Sequence, residues 1–352
     1  MKASESPSFD NHEHVAKIDD PVSGLRAIIA VHNTKLGPAV GGCRMFPYAS
    51  EAQALEDVLR LSRGMTYKSA LAGLPMGGGK AVIIGDPAKD KSKALFHKMG
   101  EFIDSLNGMY VTAEDSGTCV DDLRIIAEQT PHVLGVNAEQ EFGGDPSPLT
   151  AYGIFCGIRA AVSYKLQKDS LAGITVAVQG AGAVGRYLIK LLIEAGASCV
   201  VCDINPQNLA KAEALGAKVV SVDEIMRVSA DVFAPCAMGA ILNDDTIPQL
   251  QATIVAGGAN NQLARAEHGA QLQARGILYA PDFVINAGGI IEIYRQYKDL
   301  PVDECRRKIE GIGETLHKIF ERSDTDGLTT AEVAEQIAEQ RFKPNNGVSD
   351  AA

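Results

Sequence analysis

Two lysines and one aspartate are the side chains in this sequence whose types and spacing could do chemistry. Lys80 follows three consecutive glycines and precedes the apolar run 81–84, Lys68 lies shortly upstream, and Asp115 belongs to an acidic pair. A lysine withdrawn from water beside a second cation can act as a neutral amine, and a carboxylate can carry a proton to and from a reacting amine. We therefore predict that Lys68, Lys80 and Asp115 form one catalytic site.

The glycine run at 77–79 predicts a sharp turn that delivers Lys80 to the start of a buried strand, because glycine adopts backbone conformations that other residues avoid. Upstream, Ser50 marks the start of a helix with apolar residues at helical spacing. We expect this helix to end near Gly64 and to release residues 66–68 towards the glycine turn.

The remaining elements of the first half are predicted from apolar and polar runs. Residues 1–20 are polar and predict a loosely packed start, residues 24–31 predict a strand, and residues 36–42 predict a turn-rich loop. A strand over 110–113 should place Asp115 just past its end, where ligands gather in open α/β sheets.

From about residue 149 the pattern changes to a regular alternation of helices and short apolar strands. Such alternation is typical of a parallel, doubly wound sheet. We predict an α/β protein with an N-terminal α/β catalytic domain and a Rossmann-type doubly wound domain, separated by a cleft. The strands of the second domain are predicted at 175–178, 199–202, 232–234, 254–256 and 277–279.

A glycine motif, Gly180-x-Gly182-x-x-Gly185, follows the first of these strands and opens a helix. The glycines permit a tight turn, and the helix N-terminus offers N–H groups and positive dipole to a pyrophosphate. Asp203 ends the next strand at the spacing expected of a carboxylate that binds the adenosine ribose, which favours NAD over NADP. The predicted cofactor-binding residues of this motif are Gly180, Gly182, Ala183, Val184, Gly185 and Asp203.

Length and composition restrict the class of protein. A chain of 352 residues is long enough for two domains, and its net charge of −11 with no basic cluster argues against a nucleic-acid partner. Residues 1–20 carry no apolar signal core, and no apolar stretch is long enough to span a bilayer. We expect a cytoplasmic protein that does not bind membranes.

The cysteines and histidines predict no metal site. The seven cysteines are an odd number and are scattered, as is typical of reduced thiols. Cys199 and Cys202 match the C-x-x-C spacing, but residues three apart in a strand point to opposite faces of the sheet. Two small buried residues are therefore the better interpretation of this pair.

The chain resembles the amino acid dehydrogenases of the glutamate/leucine/phenylalanine/valine dehydrogenase superfamily, and the leucine-oxidising members most of all. The resemblance runs from about residue 24 to residue 289. The similar stretches are residues 28–34, 36–39, 41–42, 59–68, 77–80, 112–115, 234–237, 259–263 and 280–289.

The resemblance implies a role for individual residues. Lys68 would bind the substrate carboxylate, Lys80 would be the catalytic lysine, and Asp115 would be the acid and base. Gly41, Gly42 and Met65 would lie beside the substrate, Thr150 and Asn261 near the nicotinamide and the substrate amine, Asn260 at the nicotinamide ribose, and Cys236 and Ala237 at the cofactor.

The residue before the glycine pair bears on the choice of amino acid. Glutamate-specific relatives carry a lysine there, whereas this chain has Val40, so an uncharged side chain is favoured. Phenylalanine-specific relatives tend to have glycine at the position of Ala113, so the extra methyl group favours a shorter, branched aliphatic substrate. Leucine, valine and isoleucine are the predicted substrates. The predicted side-chain pocket consists of Val40, Ala113, Val284, Ile290 and Ile293.

Two other functions remain open from the sequence. Residues 43–48 also resemble phenylalanine-oxidising enzymes, which leaves an aromatic amino acid as the alternative substrate. A catalytically dead regulator that binds NAD is the alternative from another class. Glu292 stands where leucine-oxidising relatives usually have asparagine, and helical geometry puts it about 200° from Ile290, so we expect it to point away from the pocket.

The predicted domains are residues 1–134, for catalysis, substrate binding and oligomerisation, and residues 135–322, for NAD binding. Residues 142–148, rich in Gly, Pro and Ser, are predicted to belong to the linker. The C-terminal helices from about residue 323 to 352 are expected to pack back on the first domain. The expected partners are an amino acid, its 2-oxo acid, ammonia and further copies of the chain in a homo-oligomer.

Overall fold

The computed structural model of the protein describes residues 2–136, 145–237 and 239–343. Its contacts divide the chain into two compact units. Unit 1 contains the chain up to Asp145, Gln296–Lys298 and the chain from Ala338 onward, and unit 2 contains Pro146–Arg295 and Asp299–Ile337. The domain bounds predicted from the sequence stay a prediction, because contacts define compact units rather than independently folding domains. The predicted linker at 142–148 lies partly outside the described residues.

Unit 1 is built on a five-stranded sheet of β1 (His14–Asp20), β2 (Leu25–Asn33), β3 (Ala39–Phe46), β4 (Gly77–Ile84) and β5 (Tyr110–Glu114). The strand order is β1-β2-β4-β3-β5. β2 is antiparallel to β1 and β4, whereas β3 is parallel to β4 and β5. The strand that carries Lys80 therefore lies inside the sheet, with a partner on each side.

Helices cover both faces of this sheet: α1 (Glu51–Leu71), α2 (Lys93–Asp104) and α3 (Val120–Ala127), with a 3-10 turn at Ala3–Glu5. Ser50 caps α1 and Ser92 caps α2, each hydroxyl accepting a main-chain N–H three residues on. α1 packs on alternate residues such as Ile28 and Val82, and α2 packs on the intervening residues such as Ile83. This two-sided burial follows from the period of two along a strand.

Three expectations for the first half were wrong. The polar start forms β1, which is stabilised by pairing with β2 rather than by its own apolar pattern. Part of the expected loop at 36–42 is the beginning of β3. The helix that begins after Ser50 continues past Gly64 to Leu71, so Lys68 lies on the helix itself. Single glycines inside helices cost only about 1 kcal/mol, and buried contacts along α1 outweigh that cost.

The glycine run before Lys80 is also not a turn. Residues 77–79 are the first part of β4, and each glycine leaves room for a neighbour. A Cβ on Gly77 would lie 2.0 Å from the Asn33 oxygen, and one on Gly78 would lie 2.1 Å from the Thr66 nitrogen. A Cβ on Gly79 would meet the Tyr110 ring at 2.6 Å. The glycines therefore permit β2, α1 and β5 to approach β4 closely.

Unit 2 is built on a six-stranded sheet of β6 (Thr175–Gln179), β7 (Ser198–Cys202), β8 (Lys218–Val219), β9 (Val232–Pro235), β10 (Ile254–Val255) and β11 (Leu278–Tyr279). The order is β11-β10-β9-β6-β7-β8, and neighbouring strands are parallel. The strand order reverses beside β6, which is where doubly wound sheets bind ligands.

The helices of the second half begin with α4 (Ser147–Leu166), α5 (Ala183–Glu194) and α6 (Pro206–Ala214). Asn205 caps α6, and Pro206 occupies its first position, where the missing N–H costs nothing. The helices continue with α7 (Glu267–Ala274), α8 (Asp282–Ile285), α9 (Gly288–Lys298), α10 (Val302–Asp326) and α11 (Thr330–Phe342), with 3-10 turns at Ile225–Arg227 and Ile247–Gln249. The predicted fold class, α/β with a Rossmann-type half, is confirmed.

Within the described ranges no helix is long and apolar enough to cross a membrane. The same ranges contain no group of three or more His, Cys, Asp or Glu residues placed to hold a metal ion.

Candidate active site

Lys80 and Asp115 form a buried ion pair in unit 1. Lys80 lies in β4, opposite Ala30 of β2, and its ammonium contacts Oδ2 of Asp115. Asp115 follows the last residue of β5, as the sequence predicts. The side chains are only 8% and 16% exposed, so the pair is largely withdrawn from water. Two of the three predicted catalytic residues are therefore in direct contact.

A tight turn fixes the carboxylate of Asp115. Its Oδ1 accepts the main-chain N–H of Ser116 at 2.6 Å, and its own N–H donates to the Thr118 hydroxyl at 3.2 Å. Burial alone raises the pKa of the Asp115 carboxyl, but the charges of Lys80 and Arg44 lower it by more, so the pKa lies below its ordinary value. Asp115 is therefore held as a carboxylate at neutral pH.

The glycine pair of β3 brings this strand against the ion pair. A Cβ on Gly42 would lie 2.6 Å from the Asp115 Cβ, and a Cβ on Gly41 would lie 1.8 Å from the Gly79 oxygen and 3.4 Å from the Met65 Cγ. Neither position has room for a larger residue. The structure thus places Gly41, Gly42 and Met65 around the start of β4 and the Asp115 turn.

Lys68 lies in the last turns of α1 and is half-buried. Two residues before it, the Thr66 main chain packs against Gly78, and the Thr66 hydroxyl bonds to Nδ1 of His32 at 2.8 Å. α1 therefore carries Lys68 at the end that packs on the glycine part of β4.

The two predicted pocket residues of unit 1 lie on β3 and β5, the strands that carry the glycine pair and lead to Asp115. Val40 pairs with Gly78 and Val111, and Ala113 pairs with Gly42. Both are almost fully buried, Val40 at 0% and Ala113 at 2% exposed. Position 40 therefore holds an apolar side chain and not a cation, and the apolar residues Val40 and Ala113 border the glycine pair.

The glycine motif of unit 2 has the geometry of a dinucleotide loop. Gly180 directly follows β6 and has a φ of +99°. A Cβ on Gly180 would lie 2.8 Å from the Ala237 Cβ, so the glycine leaves space for Ala237. A Cβ on Gly185 would lie 2.0 Å from the Gly180 oxygen, so the loop and α5 pack closely. A Cβ on Gly182, which precedes Ala183 and Val184 at the helix start, would meet no atom within 4 Å among the described residues. Open space therefore lies at the N-terminus of α5.

Asp203 lies against this loop. Its Oδ2 accepts the N–H of Ala181 at 2.6 Å, and its Oδ1 accepts the N–H of Asn205 at 2.7 Å. Arg186 completes the contact by donating to the Ala181 oxygen and to the Asn208 side chain. The carboxylate at the end of β7 and the glycine loop after β6 are thus one connected structure.

The other predicted cofactor residues lie on neighbouring loops of unit 2. Cys236 donates its N–H to the Gln179 oxygen at 2.7 Å, and Ala237 packs on Gly180. Asn260 is exposed, and its side chain accepts a hydrogen bond from Asn286 at 2.8 Å. Asn261 is held in a left-handed conformation, φ +52°, with its N–H bonded to the Asp282 carboxylate.

Three further predicted residues lie around the start of α9. The Thr150 hydroxyl donates to the Pro146 oxygen at 2.9 Å and lies 2.8 Å from where a Gly289 Cβ would be. Val284 is 2% and Ile290 5% exposed, so both are packed in the interior of unit 2. Their role as pocket residues stays a prediction, as do the roles assigned to the other site residues.

The carboxylate of Glu292 is neutralised inside unit 2. Arg295 donates to both oxygens at 2.7 Å, and the Cys305 thiol is 3.4 Å away. Glu292 is 4% and Arg295 9% exposed. The unusual acid at this position is therefore part of a buried ion pair.

Arg44 was missed by the sequence reasoning. It follows the glycine pair in β3, and its guanidinium lies 2.9 Å from Asp57 and 3.9 Å from Asp115. The sequence contains a signal for it, a cation two residues past Gly42 in the same strand, but no local pattern links it to an acid on α1.

The site and fold identify the class of protein. A Glu/Leu/Phe/Val dehydrogenase dimerisation domain matches residues 11–132, and the Glutamate/Leucine/Phenylalanine/Valine dehydrogenase model matches residues 145–205 and 204–336. The chain belongs to this family and is an amino acid dehydrogenase, which confirms the resemblance and the predicted enzyme class. Members of the family are NAD(P)-dependent dehydrogenases.

Particular relatives are similar over nearly the whole chain. A leucine dehydrogenase of Thermoactinomyces intermedius is 49% identical over 95% of this chain and 91% of its own. A phenylalanine dehydrogenase of Bacillus thermotolerans is 46% identical over 95% of this chain and 89% of its own. The crystal structure of L-tryptophan dehydrogenase from Nostoc punctiforme superposes with a TM-score of 0.82 at 44% identity, covering 94% of this chain and 96% of that one.

Proposed function

We propose that this protein interconverts leucine, valine or isoleucine with the 2-oxo acid and ammonia, with NAD as the cofactor. The observation that carries the proposal is the buried pair of Lys80 and Asp115 beside a glycine pair that is preceded by valine rather than by a cation. The 49% identity to a leucine dehydrogenase supports the same substrate class.

The residues of unit 1 supply the acid and base chemistry. Lys68 pairs with the substrate carboxylate as a compact charge. Asp115, held as a carboxylate, accepts a proton from the substrate ammonium and later returns one to the departing ammonia. Lys80 orients the water that adds to the imine carbon and stabilises the carbinolamine that forms. When bound, NAD supplies the acceptor for the hydride that leaves the substrate Cα.

The residues of unit 2 fit a dinucleotide. The N-terminus of α5 is open above Gly182, where N–H groups and helix dipole favour a pyrophosphate. Asp203 is placed at the loop to accept hydrogen bonds from ribose hydroxyls, and its charge disfavours a 2′-phosphate. Cys236, Ala237, Thr150 and Asn260 are the further residues that we assign to the cofactor, and Asn261 to the substrate amine.

The pocket residues favour an uncharged substrate. Val40 and Ala113 border the glycine pair in unit 1, and we assign Val284 and Ile290, in unit 2, to contact with the substrate side chain as well. Glu292 does not offer a free charge to the substrate side chain, because Arg295 donates hydrogen bonds to both of its carboxylate oxygens. A carboxylate-bearing substrate side chain would lose its hydration without gaining a partner.

An aromatic L-amino acid is the second candidate substrate. Its support is the 46% identity to a phenylalanine dehydrogenase and the close superposition on a tryptophan dehydrogenase. One methylene in an apolar pocket changes preference by only about 1–3 kcal/mol, so the assay must compare all amino acids directly.

The decisive experiment follows NADH formation with each of the twenty L-amino acids at alkaline pH, and NADPH formation with the best one. We expect the highest rates with branched aliphatic substrates and faster reduction of NAD than of NADP. A best rate with phenylalanine or tryptophan would replace the substrate assignment, and no rate with any would leave a catalytically dead NAD-binding protein. Lys80→Ala should lower kcat by about 10²–10⁴-fold, and Lys35→Ala, at an exposed lysine, is the matched control.

We infer that the protein acts as a homo-oligomer in the cytoplasm. The match of residues 11–132 to a dimerisation domain supports assembly. The seven cysteines are all free of disulfides, which is typical of a reducing compartment. Light scattering coupled to gel filtration measures the oligomer, and a monomer at micromolar concentration would refute it.

A further inference from the structure

Arg44 lies between two carboxylates. Its Nη1 donates to Oδ2 of Asp57 on α1 at 2.9 Å, and its Nη2 lies 3.9 Å from Oδ1 of Asp115. The Tyr48 hydroxyl donates to the same Asp57 oxygen at 2.6 Å. The Arg44 Nε is buried and makes no hydrogen bond with the described part of the chain. The guanidinium is thus positioned by charge rather than by full hydrogen bonding.

Asp115 is contacted by cations on two sides. Lys80 of β4 contacts Oδ2, and Arg44 of β3 approaches Oδ1. The other titratable groups that act on the carboxyl are Cys43 of β3 and Tyr110 and Glu114 of β5. Asp57 of α1 affects Asp115 indirectly, through Arg44. The Asp57 carboxylate lies closer to the guanidinium than the Asp115 carboxylate does, so it interacts more strongly with the positive charge.

We propose that Arg44 is a positioning residue for the reaction, and that Asp57 and Tyr48 regulate how much of its charge stabilises the Asp115 carboxylate. Arg44 touches neither reacting atom in this role. It keeps Asp115 ionised and ready to accept the substrate proton, and Asp57 limits that effect so that Asp115 can still release the proton to ammonia. The inference rests on the proposed role of Asp115 as acid and base.

The signs of two substitutions separate this role from a purely structural one. Arg44→Met removes a positive charge near Asp115 and should raise the pKa of its carboxyl. Asp57→Asn preserves the shape of the side chain but removes the negative charge that competes for Arg44. The Arg44 charge then acts more strongly on Asp115, and the pKa of the Asp115 carboxyl should fall. Loss of packing would instead reduce activity in both variants without shifting their pH profiles in opposite directions.

The test is kcat/KM for oxidative deamination as a function of pH, because its acidic limb reports the base of the free enzyme. We expect Arg44→Met to move this limb up by about 1 pH unit, since a charge at 4–6 Å shifts a carboxyl by roughly 1–3 units. Asp57→Asn should move it down by some tenths of a unit, and Arg44→Lys should restore part of the wild-type profile. Arg60→Met is the control, because Arg60 is an exposed arginine that lines the same surface pocket as Arg44, Tyr48 and Asp57.

The outcomes distinguish the two proposals. An unshifted limb in Arg44→Met, or shifts of both variants in one direction, overturns the role of Arg44. Asp115→Asn tests the proposed function separately, because retained turnover in that variant removes Asp115 from the chemistry whatever Arg44 does. Melting temperatures accompany each profile. If Arg44→Met does not fold, Arg44→Gln takes its place, with an upward shift of the acidic limb supporting the role and no shift overturning it.

Discussion

The Tyr67 hydroxyl donates a 2.7 Å hydrogen bond to Glu339, which joins α1 to the end of the last helix within unit 1. Arg63 supports the phenol by donating to its oxygen at 3.0 Å and by stacking 4.1 Å from the ring centre. The Phe342 ring packs on the Tyr67 ring in a T-shaped contact, with the ring centres 5.3 Å apart. The residue next to Lys68 is therefore fixed by the C-terminal helix.

Breaking this contact should weaken both folding and substrate binding. We expect Tyr67→Phe and Glu339→Gln each to lower the free energy of unfolding by about 1–2 kcal/mol, since a hydrogen bond to a charged group contributes that order. The double variant should show a coupling energy of at least about 0.5 kcal/mol, measured by urea denaturation. KM for the amino acid should rise more than kcat falls, because Lys68 is displaced. Additive effects, or an equal loss in the exposed control Glu56→Gln, would contradict this interpretation.

Gly78 and Gly64 form a matched pair of glycines for testing the approach of α1 to β4. A Cβ on Gly78 would lie 2.1 Å from the Thr66 main-chain nitrogen, whereas one on Gly64 has no neighbour within 4 Å among the described residues. Gly78→Ala should destabilise by about 1–3 kcal/mol and reduce turnover, because α1 must move. Gly64→Ala should stabilise by about 0.5–1 kcal/mol, since it lies inside a helix. Urea denaturation measures both, and equal effects would show that the close approach is unimportant.

Removing one partner of the buried pair of Glu292 and Arg295 should be costly. Arg295→Met removes the cation that contacts both oxygens of the buried Glu292 carboxylate, and we expect a loss of about 3–5 kcal/mol in the free energy of unfolding. Replacing both residues with methionine removes the charge together with its partner and should recover most of that loss. Thermal and urea unfolding test this. A double variant no better than Arg295→Met would mean that packing, and not charge, accounts for the cost.

His32 should make stability fall at acidic pH. It is 4% exposed, and burial and the neighbouring His12 lower the pKa of its imidazole to about 4, with Asp10 acting in the opposite direction. The folded-state pKa lies below that of the unfolded chain, so the unfolded chain binds more protons between pH 6.5 and about 4. The free energy of unfolding should therefore be full above pH 6.5 and decline by up to about 3 kcal/mol as the pH falls to 4.

Denaturation midpoints between pH 4.5 and 7.5 measure this decline. The pKa of His12 is also lowered, chiefly by burial, so it adds to the slope in the same direction. His32→Gln should flatten the curve in this window, whereas His14→Gln, at an exposed histidine of β1, should leave it unchanged. An unchanged slope in His32→Gln would assign the acid sensitivity to other groups.

The features that the sequence could predict are those whose causes are local. The loop at Gly180 needs only a strand end, a positive φ and a helix start, all within one short stretch. Asp115 was correctly expected at the end of β5 for the same reason. Ser50 begins its helix through a hydrogen bond from the main-chain N–H of Gln53, three positions away.

The features that could not be predicted have distant causes. The glycines of β4 are needed because Asn33, Thr66 and Tyr110 occupy the space of their side chains, and no local pattern reveals those neighbours. β1 is a strand only because β2 pairs with it. Arg44 of β3 contacts Asp57 on α1 and lies near Asp115, which follows the end of β5. These contacts therefore depend on how the strands and the helix are assembled.

The position of β4 between β2 and β3 limits which amino-acid replacements unit 1 can tolerate. Because β4 is hydrogen-bonded on both sides, we expect the amide hydrogens around Lys80 to exchange with solvent only through large-scale opening of unit 1. Val40 lies near the start of β3, so an apolar replacement there need not disturb the pairing of Lys80 with Ala30. We therefore expect a residue proposed to contact the substrate side chain, such as Val40, to tolerate replacement more readily than the strand pairing that positions Lys80.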